Sequence, residues 1–329
     1  MTAMAAPGVR SMPFGSAARR NAWPLGLLAF LVILLVFTKL IQPSYGVSGV
    51  QNLGSSVLPL ALAAAGQAIV VICGGIDLSV GAMMALTSVI SASLMKDQPE
   101  EFGVAVVVGV LLLGLVIGMV NGGLVVVTRV PDIVVTLAMS FVWAGCALLV
   151  LKTPGGGSVK WLKDLVVGSL GNEWIPKAAV VLVIVVALIW IPLRRSRLGL
   201  SIFAVGSNRL AAFRSGVPIG RTKIIAYALC GLFAALGGLS LTASTGIGTP
   251  VPGGYTMLSV AAIVLGGVSL AGGRGGVFGP IVAVMILQLI RTDITFLNIN
   301  PNLAVVVQGV ILIGVVMIGS LIQIRRARA

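Results

Sequence analysis

Residues 65–90 read AGQAIVVICGGIDLSVGAMMALTSVI. An apolar run ends at the paired glycines Gly74 and Gly75, a carboxylate follows at Asp77, and a second apolar run opens directly afterwards. A helix that crosses a bilayer needs about 20 predominantly apolar residues. Non-helical backbone at membrane depth is tolerated only where protein or water satisfies it. The stretch therefore reads as two membrane helices, near 57–73 and 78–95, joined by a glycine-rich break.

The rest of the chain repeats this theme. Further apolar runs lie near 22–38, 102–127, 132–151, 177–193, 223–243, 257–271, 277–291 and 303–324, about ten transmembrane helices in all. Of the 329 residues, 58% are hydrophobic and 9% charged, against about 25% charged in an ordinary soluble domain. The fold class is an all-α membrane protein with glycine-rich broken segments: a disordered tail over 1–21, one transmembrane domain over 22–324, and a short basic tail over 325–329. The first run is too long for a signal peptide and no small-residue cleavage site follows it, so it reads as a retained span.

The formal charge of +14 reads as membrane-topology signalling rather than nucleic-acid binding. With a cytoplasmic N-terminus, ten spans leave Lys39, Lys96, Lys152, Lys160, Lys163, Lys177 and Arg291 outside and the other fifteen of the 22 bases inside. Six acids, Asp97, Glu100, Glu101, Asp164, Glu173 and Asp293, fall outside, and only Asp77 and Asp132 lie near the inner face. Cytoplasmic loops carry the excess of Lys and Arg, so both termini are placed in the cytoplasm.

The longest inner loop, 194–222, has room for a helix of its own. Asn208 to Ser215 (NRLAAFRS) offers a short amphipathic helix stopped by Gly216 and then Pro218, either a solvated loop or a docking element for a cytoplasmic partner. Outside, Lys152 to Pro176 reads as an exposed loop.

A second glycine-rich interruption, GGVSLAGGRGG from Gly266 to Gly276, matches the first. Broken helices in corresponding halves of a chain point to a transport pathway, although small residues also permit close helix packing. A carboxylate in a membrane segment costs about 2.5–3.5 kcal/mol at the helix centre and faces a cavity or a partner. Asp77, with Ser79, either caps the helix that follows, contacts solute, or pairs with Arg274 in the other break. Asn121 is an interhelix hydrogen-bond candidate and Asp132 an interfacial helix-start residue. The pathway and gating set is thus Gly74, Gly75, Asp77, Ser79, Asn121, Gly266, Gly267 and Arg274.

Absences narrow the chemistry. There is no His, which removes histidine proton relays and zinc sites. Cys73, Cys146 and Cys230 are widely spaced within apolar runs and suggest neither disulfide nor metal. No phosphate loop occurs, so the chain does not hydrolyse ATP alone. With only Asp77 and Asp132 near the inner face, an ion-coupled carrier is the weaker alternative.

GGIDLSVG at 74–81, Asn121-Gly122, Pro131 with Thr136-Leu137, Leu198-Gly199 through Ala204-Val205-Gly206-Ser207-Asn208 with Ala211-Ala212 and Ser215-Gly216, and Ala261-Ala262 followed by GGVSL and GGRGG together resemble the permease subunits of bacterial ABC importers for simple sugars such as ribose, xylose and arabinose. The resemblance spans roughly residues 50 to 325. It implies a multi-pass subunit of the bacterial inner membrane, a second permease subunit beside it, identical or not, and a cytoplasmic ATPase that holds ATP and Mg. It also implies a periplasmic or lipid-anchored solute-binding protein, with no cofactor and no enzymatic activity in this chain. Gly206, Asn208, Ala211, Ala212, Ser215 and Gly216 would form the coupling helix against that ATPase. The implied cargo is a monosaccharide or polyol, the alternatives being a nucleoside or a branched-chain amino acid. The chain departs from the family pattern at Thr256-Met257-Leu258, where members often carry acids, and at Ala144-Gly145 and Asp132-Ile133.

Overall fold

The computed structural model describes residues 22–251, 253–300 and scattered positions between 302 and 317. The tails 1–21 and 325–329 lie outside the described residues, as does most of the expected span 303–324. The protein is nearly all helical. In chain order the elements are α1 (Ala22–Ile41), α2 (Val47–Ile72), α3 (Val80–Met95), α4 (Phe102–Thr128), α5 (Asp132–Val150), α6 (Lys160–Val166), the hairpin β1 (Ser169–Leu170) and β2 (Asn172–Pro176), then α7 (Lys177–Arg195), α8 (Arg197–Ser207), α9 (Arg209–Arg214), α10 (Ile219–Thr245), α11 (Tyr255–Leu265) and α12 (Phe278–Phe296).

Six of these, α2, α4, α5, α7, α10 and α12, are long and apolar enough to cross a membrane, while Leu25–Ile41, α3, α8 and α11 are shorter apolar helices. Three expectations need correction. The span placed at 57–73 begins ten residues earlier, at Val47, because its first turns carry Ser48, Gln51, Asn52, Ser55 and Ser56 and so look unlike a membrane helix. The run placed at 257–271 is helical only over the 11 residues of α11, about 16 Å at 1.5 Å per residue, roughly half a bilayer core. The segment 152–176 is no simple exposed loop, since α6 buries Leu162 and Val166 and the hairpin follows it.

Close packing centres on α10, which lies against α2, α3 and α4. Lipid offers no hydrophobic drive for helices to associate, so contact depends on small residues that let backbones approach. On α4, Gly114, Gly118 and Gly122 recur every four residues and face α10. A methyl carbon at Gly114 would lie 2.5 Å from Ala235 Cβ, one at Gly122 2.9 Å from Ile224 Cα, and one at Gly118 would run into the Tyr227 carbonyl. The faces of α4 and α7 turned away from the bundle expose Val104, Val108, Leu112 and Val116, and Val183, Ile184 and Leu188, as lipid contact requires.

Candidate functional site

Both glycine-rich segments are non-helical, as the sequence implies, and the fold brings them together. The Gly273 N–H donates to the Ile72 carbonyl across the two breaks (2.9 Å). Between them sits the C-terminal end of α8. A Cβ at Gly272 would lie 3.1 Å from the Cα atoms of both Gly206 and Gly74, and one at Gly206 would strike the Ile72 carbonyl. Gly74 (φ +81°) and Gly272 (φ +83°) adopt left-handed backbone that other residues take at a steric cost. Gly266 abuts Gly279 and Pro280 at the start of α12, and Gly267 lies against the Trp23 ring.

One residue beyond this junction, Asn208 opens α9 by accepting the Ala211 N–H at its Oδ1 (3.0 Å), an N-cap that satisfies one orphan donor. Its stop is equally local: the Ser215 N–H returns to Ala211 O, and the Gly216 and Val217 N–H groups return to Phe213 O and Ala212 O, with Gly216 at φ +79°. The amphipathic helix expected over 208–215 is therefore present. Ala212 faces the protein, whereas Ala211, Leu210 and Phe213 face outward, the last two 59% and 67% exposed. The loop 194–222 also holds a second helix, α8, that the sequence reading did not separate.

Asp77, Ser79 and Asn121 form a buried chain of hydrogen bonds on the far side of the first break. The Ser79 N–H and Oγ–H both donate to Asp77 Oδ1, at 2.9 and 2.6 Å. Asn121 Nδ2 donates to Ser79 Oγ at 2.7 Å, and Trp143 Nε1 to Asn121 Oδ1 at 3.1 Å. Asp77 thus closes a turn just ahead of α3 rather than capping its first amides. One of those, the Gly81 N–H, is taken by Thr256 Oγ1 from α11 (3.0 Å). Asp77, Ser79 and Asn121 have no exposed surface, so solute reaches them only if helices part.

The expected Asp77–Arg274 pair does not form. Arg274 is exposed while Asp77 is enclosed among α3, α4 and α5, and among the described residues the ion pair is instead Lys223–Asp132. Lys223 Nζ donates to Asp132 Oδ1 and Oδ2 at 3.0 and 2.8 Å. The Tyr227 hydroxyl donates to the same Oδ2 at 3.0 Å. This cluster ties the starts of α5 and α10 to the first break, because a Cβ at Gly75 would sit 2.6 Å from Asp132 Oδ2 and 2.8 Å from the Tyr227 oxygen. Sequence reasoning took Lys223 for a topology charge and Asp132 for a helix start. The usable signal was that each opens a membrane helix on the same side, with Tyr227 one turn after Lys223.

The arrangement links the short amphipathic helix α9 to two backbone breaks through one glycine-lined junction, with no nucleophile or acid–base constellation at its centre among the described residues. Residues 49–316 match the family described as branched-chain amino acid transport system / permease component. The ribose import permease protein of Escherichia coli is 31% identical over 91% of this chain and 95% of its own length. The D-allose transport system permease protein of Escherichia coli is 30% identical over 78% of this chain and 79% of its own. The autoinducer 2 import system permease protein of Escherichia coli is 27% identical over 93% and 94%. No solved structure matches the chain.

Proposed function

Because the chain belongs to the family of branched-chain amino acid transport system / permease components, a family of multi-pass inner-membrane subunits whose ATP hydrolysis resides on a separate ATPase, we propose that its cargo is a monosaccharide or polyol moved by alternating access. The ribose and allose permeases support that cargo class through identities of 31% and 30% over most of the chain. We place ten spans in the membrane with both termini in the cytoplasm, 22–324 as one permease domain, and 194–222 as its coupling loop. A second permease subunit, a cytoplasmic ATPase carrying ATP and Mg, and a periplasmic or lipid-anchored solute-binding protein complete the machine.

The observation that carries this reading is the junction of Gly206 and Ser207 with both breaks. The outward apolar side chains Leu210 and Phe213 offer the ATPase a foothold. A push on α9 is delivered through Asn208 to Ser207 and Gly206, and from there to Gly74 and Gly272 at once. Closely packed interfaces switch between discrete arrangements rather than deform continuously, so one displacement can reorient α3 and α12 together.

The test is uptake by the reconstituted subunits. Labelled ribose should enter proteoliposomes only with ATP and a solute-binding protein, and entry should survive an ionophore that collapses ion gradients. Loss of uptake with the ionophore would mean an ion-coupled carrier. ATP-driven uptake of leucine but not of ribose would move the cargo to amino acids.

A further inference from the structure

At the end of the bundle away from α9, the helices α2 and α12 present a surface unlike any lipid-facing one. Ser48, Asn52 and Ser56 recur at four-residue spacing along exposed α2, and Arg291 and Thr295 are exposed on α12 beside half-buried Gln288 and Thr292. Among the described residues α2 exposes no large apolar side chain, and α12 exposes only Phe278, at its opposite end. Between them lies a recess of about 210 Å³ lined by Ser56, Gln288, Arg291, Thr292 and Thr295. Ser56 and Gln288 sit about 12–14 Å in from their helix ends at 1.5 Å per residue, at the outer boundary of the spans. Polar and ionisable groups of a membrane helix face water or protein, not lipid.

A second irregular segment lies beside α3. Between α10 and α11 the residues 246–251, 253 and 254 form no helix; they run alongside α3, and Gly248 exchanges backbone hydrogen bonds with Gly155 of the outer segment. Gly248 is packed on Val89 and Ala92, and Thr256 reaches Gly81. Ile247, Val251, Gly253 and Gly254 are exposed on this segment, and irregular backbone at membrane depth persists only against protein or a water-filled cavity. It leads into Tyr255 at the start of α11.

We propose that the recess lined by Ser56, Gln288, Arg291, Thr292 and Thr295 is a solute-binding station on the outer half of the translocation route, built for a neutral polyhydroxylated solute. The proposal rests on the importer reading above. Its polarity is specific: the Thr292 hydroxyl donates to Gln288 O, the Thr295 hydroxyl to Arg291 O, and Gln288 Nε2 to Ser56 O. The two threonine oxygens and Gln288 Oε1 therefore remain as acceptors, while the Arg291 guanidinium has no hydrogen-bond partner among the described residues and offers a fork of donors. Adjacent hydroxyls match both, accepting from the guanidinium and donating to the oxygens. An anion would face three acceptor oxygens for one cation.

Ser56→Cys and Thr295→Cys, each in the assembled transporter in membranes, are exposed to an impermeant cationic methanethiosulfonate, with the unsubstituted chain and its native cysteines as blank. Both should react at least ten times faster than Leu188→Cys on the lipid face, and excess ribose with its binding protein should slow the reaction. Arg291→Leu and Thr292→Val should each lower ribose uptake about tenfold or more with the ATPase still bound. Reaction no faster than at Leu188→Cys would overturn the proposal, whether lipid or the segment 303–324 covers the face, and so would full uptake by both Arg291→Leu and Thr292→Val. Fast labelling without ribose uptake or ribose protection would support an aqueous station and overturn only the sugar as its occupant.

Discussion

The Lys223–Asp132 pair should be strongly coupled. Neutralising one partner of a buried ion pair leaves the other charge uncompensated and costs 3–5 kcal/mol. Here the two side chains retain 10% and 17% exposure, so water relieves part of the penalty and the lower end of that range applies. Asp132→Asn and Lys223→Met should each destabilise by about 3 kcal/mol, roughly 150-fold in the unfolding equilibrium. The double variant removes both charges together and chiefly loses the Tyr227 hydrogen bond and packing. It should cost about 3 kcal/mol rather than 6, a coupling of about 3 kcal/mol, at the top of the range for groups in contact. Tyr227→Phe, which removes only the 3.0 Å hydrogen bond, should cost about 1 kcal/mol. The assay is reversible unfolding of the purified permease in mixed detergent micelles, followed by tryptophan fluorescence. Strictly additive losses near 6 kcal/mol, or single variants within about 0.5 kcal/mol of the parent, would show that the pair does not hold α5 against α10.

Four other outcomes follow from the same geometry. Gly75→Leu should abolish uptake at normal expression, since its side chain must displace Asp132 and Tyr227, and normal uptake would show the close approach to be dispensable. Gly118→Leu should push α4 off the Tyr227 backbone and cost about 3 kcal/mol or more, read as loss of monodisperse protein on size-exclusion chromatography. Asp77→Asn should keep the Oδ1 acceptor for Ser79 and fold nearly as the parent does, whereas Asp77→Leu strands the buried Ser79 donors at a cost of about 2 kcal/mol; equal stability of the two would refute the turn role. Phe213→Asp should release the ATPase in co-purification without altering the permease's thermal stability, and an intact complex with full ATP-driven uptake would remove α9 from the coupling path.

What the sequence made legible follows from which forces act locally. Apolar runs and glycine pairs are local signals, so the helices flanking Gly74–Gly81 and Gly266–Gly276 could be placed, as could α9 from its Asn208 start and Gly216 stop. Contacts between distant segments leave no such trace. The meeting of Gly206 with Gly74 and Gly272, and of Lys223 with Asp132 91 residues away, arises from packing that only the folded chain reveals. The Asp77–Arg274 pairing failed for the same reason. Opposite charges in two matching breaks suggested a partner, but Asp77 had a nearer one in Ser79, two residues along the chain.

The misplaced ends of α2 and α12 carry a different lesson. The beginning of α2 was missed because Ser48, Asn52 and Ser56 lower its apolar character, and α12 was stopped at Arg291 although its helix continues to Phe296. Residues that make a membrane helix hard to recognise also keep it off lipid, since a helix whose outer turns are polar on one face must be buried there or wetted. Here that face is exposed on the single chain, so water or a neighbouring protein surface must meet it. A folded chain departs from local rules where function requires it. The polar groups that blur these two helix ends in the sequence, Ser56 on α2 and Thr292 and Thr295 on α12, are thus the same groups that line the recess between the helices.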